Sequence, residues 1–373
     1  MAKPAGMAEG APARAQETSL ATASPPRYLA LDAFRGAVMI LLVSGGFGLG
    51  GMRNHPFWGG LAAQFDHCPW EGLRLWDLIL PAFFFMVGAA LPYSLARRTG
   101  QGATFRQNCL RAAARSLKLL ALAVIVTSAP AGRLRSPVME VLLHIAFTYF
   151  FCFLILQLRF RWQVLCAVLI LAGHLALFLA FPGADGPFSK TGNIGAVLDR
   201  AILGGSHPGF YASLNIVPGI VSTLFGAWAA LLLRGGRPLA GKLRILAVWA
   251  AGSLAAGMAL APFVPVIKRI YTVPYTLSSA GFVLAAMLAF VWLIDARGYR
   301  RWTFPLAVVG VNCIFAYALY EMLGAWLRRA VGAFTGNFAF LGAYAPIAQG
   351  CATALVLWYL CYWLYQRRIV LRV

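Results

Sequence analysis

The chain has few charged residues for its length. Of 373 residues, 12% are charged and 61% are apolar. An ordinary soluble domain has about 25% charged residues to cover its surface, so a soluble globular protein is excluded. The acidic residues are the scarcer class, with 11 Asp and Glu against 32 Lys and Arg. No Gly-rich loop of the kind that binds nucleotide phosphates is present.

Residue patterns of metal centres and disulfide frameworks are also missing. The seven cysteines form no Cys-x-x-Cys pair and lie mostly inside apolar runs, which argues against a zinc site or a set of disulfides. No two histidines have the spacing of metal ligands, so no metal ion is expected. The N-terminus has no apolar stretch ahead of a cleavage site, so a signal peptide is not predicted.

What the chain does have is a series of long apolar runs. Most approach the ~20 residues that a helix needs to cross a hydrocarbon core of ~30 Å. Barrel strands alternate polar and apolar residues, and these runs do not. The sequence therefore predicts an all-α fold, a polytopic integral membrane bundle of about 10–11 transmembrane helices. The runs are 37–49, 78–91, 117–126, 138–158, 162–181, 216–233, 245–262, 276–294, 304–323 and 346–365.

The basic residues follow the apolar runs in alternation. Clusters such as Arg97–Lys118 and Arg234–Arg244 come after every second run, and the intervening loops carry fewer cations. This is the positive-inside pattern of an inner-membrane protein with a cytoplasmic N-terminus, and it argues against nucleic acid as a partner. We expect a disordered cytoplasmic tail over residues 1–26, which are rich in Ala, Pro, Ser and Thr. Residues 27–373 are predicted to form one transmembrane domain.

Ionisable residues at membrane depth are the first candidates for a functional site, because lipid makes them costly. Asp32 and Arg35 stand at the cytoplasmic end of the first run and are three residues apart, so they share a helix face and can pair. One interpretation is an interfacial ion pair that fixes the helix end. The other is that Arg35, held by Asp32, binds a phosphate or carboxyl group of a cofactor.

The segment from His67 to Asp77 carries the strongest local signal. Pro69 followed by Glu71 predicts a helix start, which places His67 before the helix and Asp77 about two turns inside it. The two side chains would then be roughly 12–15 Å apart along the axis and would meet only if the preceding loop folds back. A loop histidine is commonly structural or solvated, but this one lies near a buried carboxylate and suits proton transfer.

Asn312 is a further polar residue within an apolar run. A hydrogen bond between helices is one interpretation, and contact with a ligand in the bundle is the other.

Seven blocks along the chain resemble the heparan-α-glucosaminide N-acetyltransferase family and its bacterial relatives. They keep their order from the first run to the ninth, and together they are more specific than any one alone. Two places depart from the family pattern: Ser44 stands where an asparagine is often seen, and Leu143-His144 stands where the family usually has Gln-Arg. The blocks are 27–36 (RYLALDAFRG), 67–72 (HCPWEG), 76–88 (WDLILPAFFFMVG), 199–204 (DRAILG), 265–272 (PVIKRIYT), 293–298 (LIDARG) and 310–312 (GVN).

The resemblance implies a transmembrane acyltransferase that moves an acetyl group from cytoplasmic acetyl-CoA to an amino sugar or related glycan on the periplasmic side. The family has a catalytic histidine in the first outward loop, the position of His67, and Asp77 is expected to assist it. Membrane lipid is an expected partner, and a second copy of the chain a candidate one. The residues expected to contact acetyl-CoA are Asp32, Arg35, Ser44, Trp70, Lys268 and Asn312.

Two mechanisms and one other function class remain open at the level of sequence. His67 can act as the base that takes the proton of the attacking acceptor, or it can carry the acetyl group covalently. The competing class is a transporter or flippase for a lipid-linked sugar or anion, in which the same buried charges line a pathway.

Overall fold

A computed structural model of the protein describes residues 29–205, 207 and 209–371, and the predicted tail 1–26 lies outside them. Across these residues the chain forms helices and no β-strand. The helices are α1 Leu29–Val43, α2 Gly59–Ala63, α3 Ile79–Gly100, α4 Phe105–Ser128, α5 Val141–Ile155, α6 Phe160–Ala180, α7 Ile194–Leu203, α8 Ile216–Arg234, α9 Leu239–Leu260, α10 Val273–Val291, α11 Phe304–Val311, α12 Cys313–Thr335 and α13 Ala345–Gln366.

The helices form an all-α membrane bundle, as the sequence predicts. Six helical stretches of the described chain are long and apolar enough to cross a membrane, or seven if α1 and the bent turn Gly46–Met52 count as one span. This count is lower than the predicted 10–11 partly because one of the six stretches, Cys313–Gln366, contains both α12 and α13. In addition, α4 carries Arg106, Arg111, Arg115 and Lys118, and α5 has 15 residues, whereas about 20 are needed to span the hydrocarbon core.

Local sequence explains where several helices begin. Thr104 caps α4 by accepting a hydrogen bond from the backbone N–H of Gln107, whose side chain accepts one in return from the backbone of Thr104. Asn193 caps α7 in the same manner through the backbone N–H of Ala196. These side chains satisfy backbone donors that the first turn of a helix leaves unpaired. Helix α7 is a separate helix of 10 residues in the segment between α6 and α8.

Glycines allow the central helices to pack backbone against backbone. A Cβ at Gly88 of α3 would overlap the carbonyl of Thr223 in α8, and one at Gly226 of α8 would overlap the carbonyl of Phe85. Small residues at helix crossings are the usual device for close packing in lipid, where hydrophobic burial does not drive association between helices. The close contact with α8 at Gly88 and Gly226 holds α3 in a fixed position in the bundle.

Two segments outside the long helices come together at the end of the bundle where α3 and α10 begin. The first, 67–78, leads into α3, and the second, 264–272, leads into α10. They are joined by a hydrogen bond from the Gly72 N–H to the Val266 carbonyl at 2.7 Å and by a β-bridge between Glu71 and Ile267. The pairing fixes the side chains of both segments relative to each other.

Candidate active site

The segment from His67 to Asp77 does not form the helix predicted to start at Pro69. A short 3-10 turn occupies Leu75–Leu78, and α3 begins only at Ile79. The backbone of Gly72 has φ +117°, a conformation that favours glycine and that no α-helix contains. The residues after Pro69 pair with the 264–272 segment instead of with one another, so the prediction of the helix start is wrong.

Because the segment folds back, His67 and Asp77 meet. The His67 Nδ1 atom lies 2.9 Å from Oδ1 of Asp77, not the 12–15 Å that a continuous helix would impose. The imidazole is 43% exposed and the carboxylate 1% exposed. A half-exposed base whose inner nitrogen contacts a buried carboxylate is the arrangement that orients histidines for proton transfer.

Asp77 is held by hydrogen bonds to its carboxylate and to its backbone carbonyl. Its Oδ2 atom accepts hydrogen bonds from the backbone N–H groups of Cys68 at 3.1 Å and Arg74 at 3.2 Å. Its own carbonyl accepts a hydrogen bond of 2.7 Å from the hydroxyl of Tyr275 in α10. A buried carboxylate is costly unless it is paired and hydrogen-bonded, and these contacts satisfy Asp77 while leaving Oδ1 for His67.

Lys268 completes the cluster from a distant part of the chain. Its ammonium nitrogen lies 3.0 Å from His67 Nδ1 and 3.3 Å from Asp77 Oδ1, and its side chain is 9% exposed. Burial lowers the pKa of Lys268 to about 8, although Asp77 opposes the shift by favouring the charged form. We call His67, Asp77 and Lys268 the rim cluster.

The backbone that carries Lys268 is strained. Tyr271 has φ +53°, the left-handed region that a bulky side chain rarely adopts. Its ring is buried against Tyr275, and its hydroxyl lies 3.0 Å from Ser222 Oγ. The next cation, Arg269, donates hydrogen bonds to the carbonyl oxygens of Cys68 and Pro69. These contacts hold the strained turn and keep Lys268 directed at His67.

Trp70 and the segment between α6 and α8 form the wall beside the rim cluster. The indole N–H of Trp70 donates to the carbonyl of Phe188 at 3.0 Å. The ring of Tyr211 lies 5.8 Å from the Lys268 ammonium and 5.6 Å from the ring of His207. Burial raises the pKa of Tyr211 to about 12, so its hydroxyl stays neutral at physiological pH.

Asp32 and Arg35 pair on one face of α1, as their spacing predicts. Ser44, at the end of the same helix, uses its hydroxyl locally: it donates to the Leu41 carbonyl at 3.0 Å and accepts from the Phe47 N–H at 3.0 Å. No recorded contact joins these residues to the rim cluster within the described chain. Their predicted contact with acetyl-CoA remains a prediction.

Asn312 also lies apart from the rim cluster. It stands between α11 and α12, where its amide donates to the carbonyl of Ile369 at 3.0 Å and accepts from the N–H of Leu371 at 3.1 Å. Both of these contacts are with the segment that follows α13, so the described hydrogen bonds match neither interpretation of Asn312, a bond between helices or a ligand contact.

Sequence reasoning missed the partners of the His67–Asp77 pair. It placed Lys268 among the acetyl-CoA contacts and not beside the two residues, and it did not name Tyr275 or Arg269. One signal was available, because a carboxylate at membrane depth needs a partner and the short loop before α10 carries adjacent cations at Lys268 and Arg269. Spacing could not reveal the contact, since 201 residues separate Lys268 from His67.

Comparison with known proteins supports the resemblance seen in the sequence. Residues 27–189 match the family model described as heparan-alpha-glucosaminide N-acetyltransferase, catalytic. The match contains both His67 and Asp77, and Lys268 lies beyond it. The resemblance stated from the sequence blocks is thus confirmed.

Two curated relatives extend the likeness beyond the family model. The chain is 24% identical over 367 residues to heparan-alpha-glucosaminide N-acetyltransferase of Homo sapiens, which covers 81% of this chain and 54% of that protein. It is 23% identical over 385 residues to the protein of the same name from Mus musculus, covering 84% and 57% respectively. The chain therefore spans just over half the length of these relatives.

Proposed function

We propose that this protein is a membrane-embedded acetyltransferase in which His67 is the general base. The observation that carries the proposal is the contact between half-exposed His67 and the buried carboxylate of Asp77, set in a chain similar to N-acetyltransferases. The donor is acetyl-CoA from the cytoplasm, and the acceptor is an amino sugar or related glycan on the periplasmic side of the inner membrane.

The geometry supports the base role through the two nitrogens of His67. Nδ1 lies against Asp77, which fixes the ring, and Nε2 has no hydrogen-bond partner within the described chain. Nε2 is thus free to accept a proton from an acceptor amine or hydroxyl as it attacks the thioester carbon. The new bond joins the acceptor to the acetyl carbon, the carbon–sulfur bond breaks, and the thiolate leaves with a proton from His67.

A covalent acetyl-histidine is the other route, and it uses the same free nitrogen as a nucleophile. The two routes differ in one measurable product. Incubation with radiolabelled acetyl-CoA and no acceptor labels the protein only if the covalent intermediate forms. If the wild type is labelled and His67→Gln is not, the covalent route is assigned. If the wild type is not labelled, direct transfer is supported.

The cationic surface of α3 and α4 near their junction supports the cytoplasmic side for the donor. Arg97 in the last turn of α3 and Arg106, Arg111 and Lys118 in α4 are exposed, and phosphates bind such side chains strongly. Arg35, paired with Asp32, is the proposed contact for a phosphate within the bundle. Membrane lipid and a second copy of the chain stay predicted partners.

The decisive experiment measures acetyl transfer by the purified protein in lipid nanodiscs. We expect acetyl-CoA and glucosamine to give N-acetylglucosamine, and His67→Ala to lower kcat by about 10²–10⁴-fold, the usual contribution of a general base. His55→Ala is the matched control, because His55 lies in the same outer loop and its Nδ1 only accepts from nearby backbone N–H groups. Transfer that survives in His67→Ala would remove His67 from the chemistry.

A second experiment tests the side of the membrane on which His67 lies. Gly60 and Gly100 are exposed and have no atom near the position of a Cβ, so cysteine fits at both. In a background with the seven native cysteines replaced by serine, we expect an impermeant maleimide added to intact spheroplasts to label Gly60→Cys and not Gly100→Cys. Labelling of Gly100→Cys alone would place the His67 loop in the cytoplasm and overturn the proposal.

A further inference from the structure

The three contacts of the rim cluster restrict where its protons can be. The His67 Nδ1 atom lies within hydrogen-bond distance of both Asp77 Oδ1 and Lys268 Nζ, and Lys268 Nζ lies 3.3 Å from the same carboxylate oxygen. Nδ1 has a single site, which holds either one proton or one lone pair. It can donate to its neighbours or accept from one of them, but not both.

A charged Lys268 does not satisfy all three contacts. If the ammonium donates to Nδ1, then Nδ1 and Asp77 Oδ1 face each other 2.9 Å apart with no proton between them. If Nδ1 carries the proton and donates to Asp77, then two N–H donors face each other 3.0 Å apart. Each arrangement leaves one short contact unfavourable.

A neutral Lys268 satisfies all three. The Nδ1–H of His67 lies between Asp77 Oδ1 and the lone pair of the Lys268 amine, and an amine N–H donates to Asp77. Burial is consistent with this state, since it lowers the pKa of Lys268 to about 8 from the ordinary value near 10.4. In this arrangement Nε2 of His67 carries a lone pair and can act as a base.

We propose that Lys268 is a positioning residue that exchanges a proton with His67 Nδ1 and thereby sets which tautomer of His67 faces the acceptor. The inference rests on the proposed function. When Nε2 takes the proton of the acceptor nitrogen, Nδ1–H passes to the Lys268 amine, and the resulting ammonium pairs with Asp77. When the thiolate leaves, it takes the Nε2 proton and Lys268 returns its own to Nδ1, so every proton is accounted for.

The other groups around Lys268 keep a constant charge in the range where it titrates. The guanidinium of Arg269 is held by hydrogen bonds to the carbonyl oxygens of Cys68 and Pro69. Tyr211 has a pKa raised by burial to about 12 and stays neutral. The pKa of His207, beyond Tyr211, is lowered by burial, so His207 is neutral above pH 7. A change in the protonation of the cluster between about pH 7 and 9 is therefore assigned to the Lys268 amine and its proton exchange with His67.

The first test compares kcat/KM of the wild type with that of Lys268→Met across pH. Lys268 is charged below its pKa of about 8, and the charged form blocks the His67 tautomer in which Nε2 is the base. The ratio of the wild-type kcat/KM to that of Lys268→Met should therefore fall about tenfold per pH unit below pH 8. Titration of the acceptor amine is common to both proteins and cancels in the ratio. A ratio independent of pH overturns the inference.

Lys268→Arg separates a relay from a structural role. Arginine keeps the charge and can pair with Asp77, but it cannot give up its proton. We expect Lys268→Arg to be less active than Lys268→Met above about pH 8, even if it is the more stable protein. Activity in Lys268→Arg close to that of the wild type would assign Lys268 to structure and contradict the proton exchange.

The tautomer of His67 can also be measured directly, without acetyl transfer. In ¹⁵N-histidine-labelled protein in bilayers, the His67 signal is assigned by its absence in His67→Gln. We expect protonated Nδ1 at about pH 9 and protonated Nε2 at about pH 7 in the wild type, with no change in Lys268→Met. The same tautomer at both pH values overturns the inference. A tautomer change without acetyl transfer refutes only the proposed function.

Discussion

The rim cluster and helix α1, with Ser44 directly after it, use polar side chains in opposite ways. In the rim cluster, His67 and Lys268 are 201 residues apart in the chain and 3.0 Å apart in the fold. At α1, Asp32 pairs with Arg35, three positions further along the same helix. The hydroxyl of Ser44 donates to the Leu41 carbonyl in the adjacent turn. Only the first set is held by contacts between distant segments.

This difference separates residues that a motif groups together. A polar side chain satisfied by its own helix needs no ligand to explain its burial. Three ionisable side chains brought together from distant segments are costly to bury, and such clusters concentrate at functional sites. The difference favours chemistry at the rim cluster and a structural role for Ser44. Asn312 is assigned a structural role on another ground, because its amide is satisfied by backbone groups of the segment after α13. Arg35 is the residue whose role decides whether α1 binds a ligand.

Replacement of Asp77 should have the largest effect. Asp77→Asn removes the charge that orients His67, so we expect kcat to fall about 10²–10⁴-fold and the free energy of unfolding to fall by about 3 kcal/mol. Activity in nanodiscs and thermal unfolding measure the two effects. Asp66→Asn is the control, since Asp66 pairs with exposed Arg53, and such pairs contribute about 0–1 kcal/mol. If Asp77→Asn and Asp66→Asn lose equal amounts of activity and stability, the rim cluster does not differ from an ordinary surface ion pair.

Arg35→Ala tests whether α1 contributes to a binding site. The side chain of Arg35 is 31% exposed although it pairs with Asp32, so a ligand phosphate can still reach its guanidinium. We expect KM for acetyl-CoA to rise about tenfold with kcat nearly unchanged. Arg53→Ala removes an exposed arginine between α1 and α2 and should leave KM as it is. An unchanged KM in Arg35→Ala would return the Asp32–Arg35 pair to a structural role.

Asn312→Ala should affect stability and not binding. It removes two hydrogen bonds to the segment after α13, so we expect the free energy of unfolding to fall by about 2 kcal/mol, with KM for acetyl-CoA unchanged. Thermal unfolding and steady-state kinetics check both parts, and exposed Asn54→Ala serves as the control. A KM raised tenfold without loss of stability would instead make Asn312 a ligand contact.

Ser44→Ala should give the smallest change. Its two local hydrogen bonds are worth about 1 kcal/mol in total, and kinetics should match the wild type. Ser94→Ala removes a hydroxyl that donates only to the Leu91 carbonyl and should cost less. If Ser44→Ala lowers kcat more than tenfold while unfolding is unchanged, local satisfaction of a side chain is a poor guide to function in this bundle.

How far the sequence predicts this site depends on the range of each contact. Asp32 and Arg35 were correctly paired because helical spacing alone determines that contact. The interval from His67 to Asp77 was assigned to the wrong element, because Pro69 and Glu71 do favour a helix start. Pairing of Glu71 and Gly72 with the 264–272 segment outweighed that preference, as tertiary contacts commonly do.

The sequence by itself determined that the chain is an all-α membrane bundle, because lipid leaves long apolar runs no other way to satisfy their backbones. It also singled out His67 and Asp77 as ionisable residues in a costly place. Only the tertiary structure decided that the two touch, that Lys268 joins them, and that Ser44 and Asn312 lie elsewhere. The physical reason is distance along the chain: periodicity encodes the neighbours of a residue within its helix, and contacts over 201 residues are set by packing of the whole bundle.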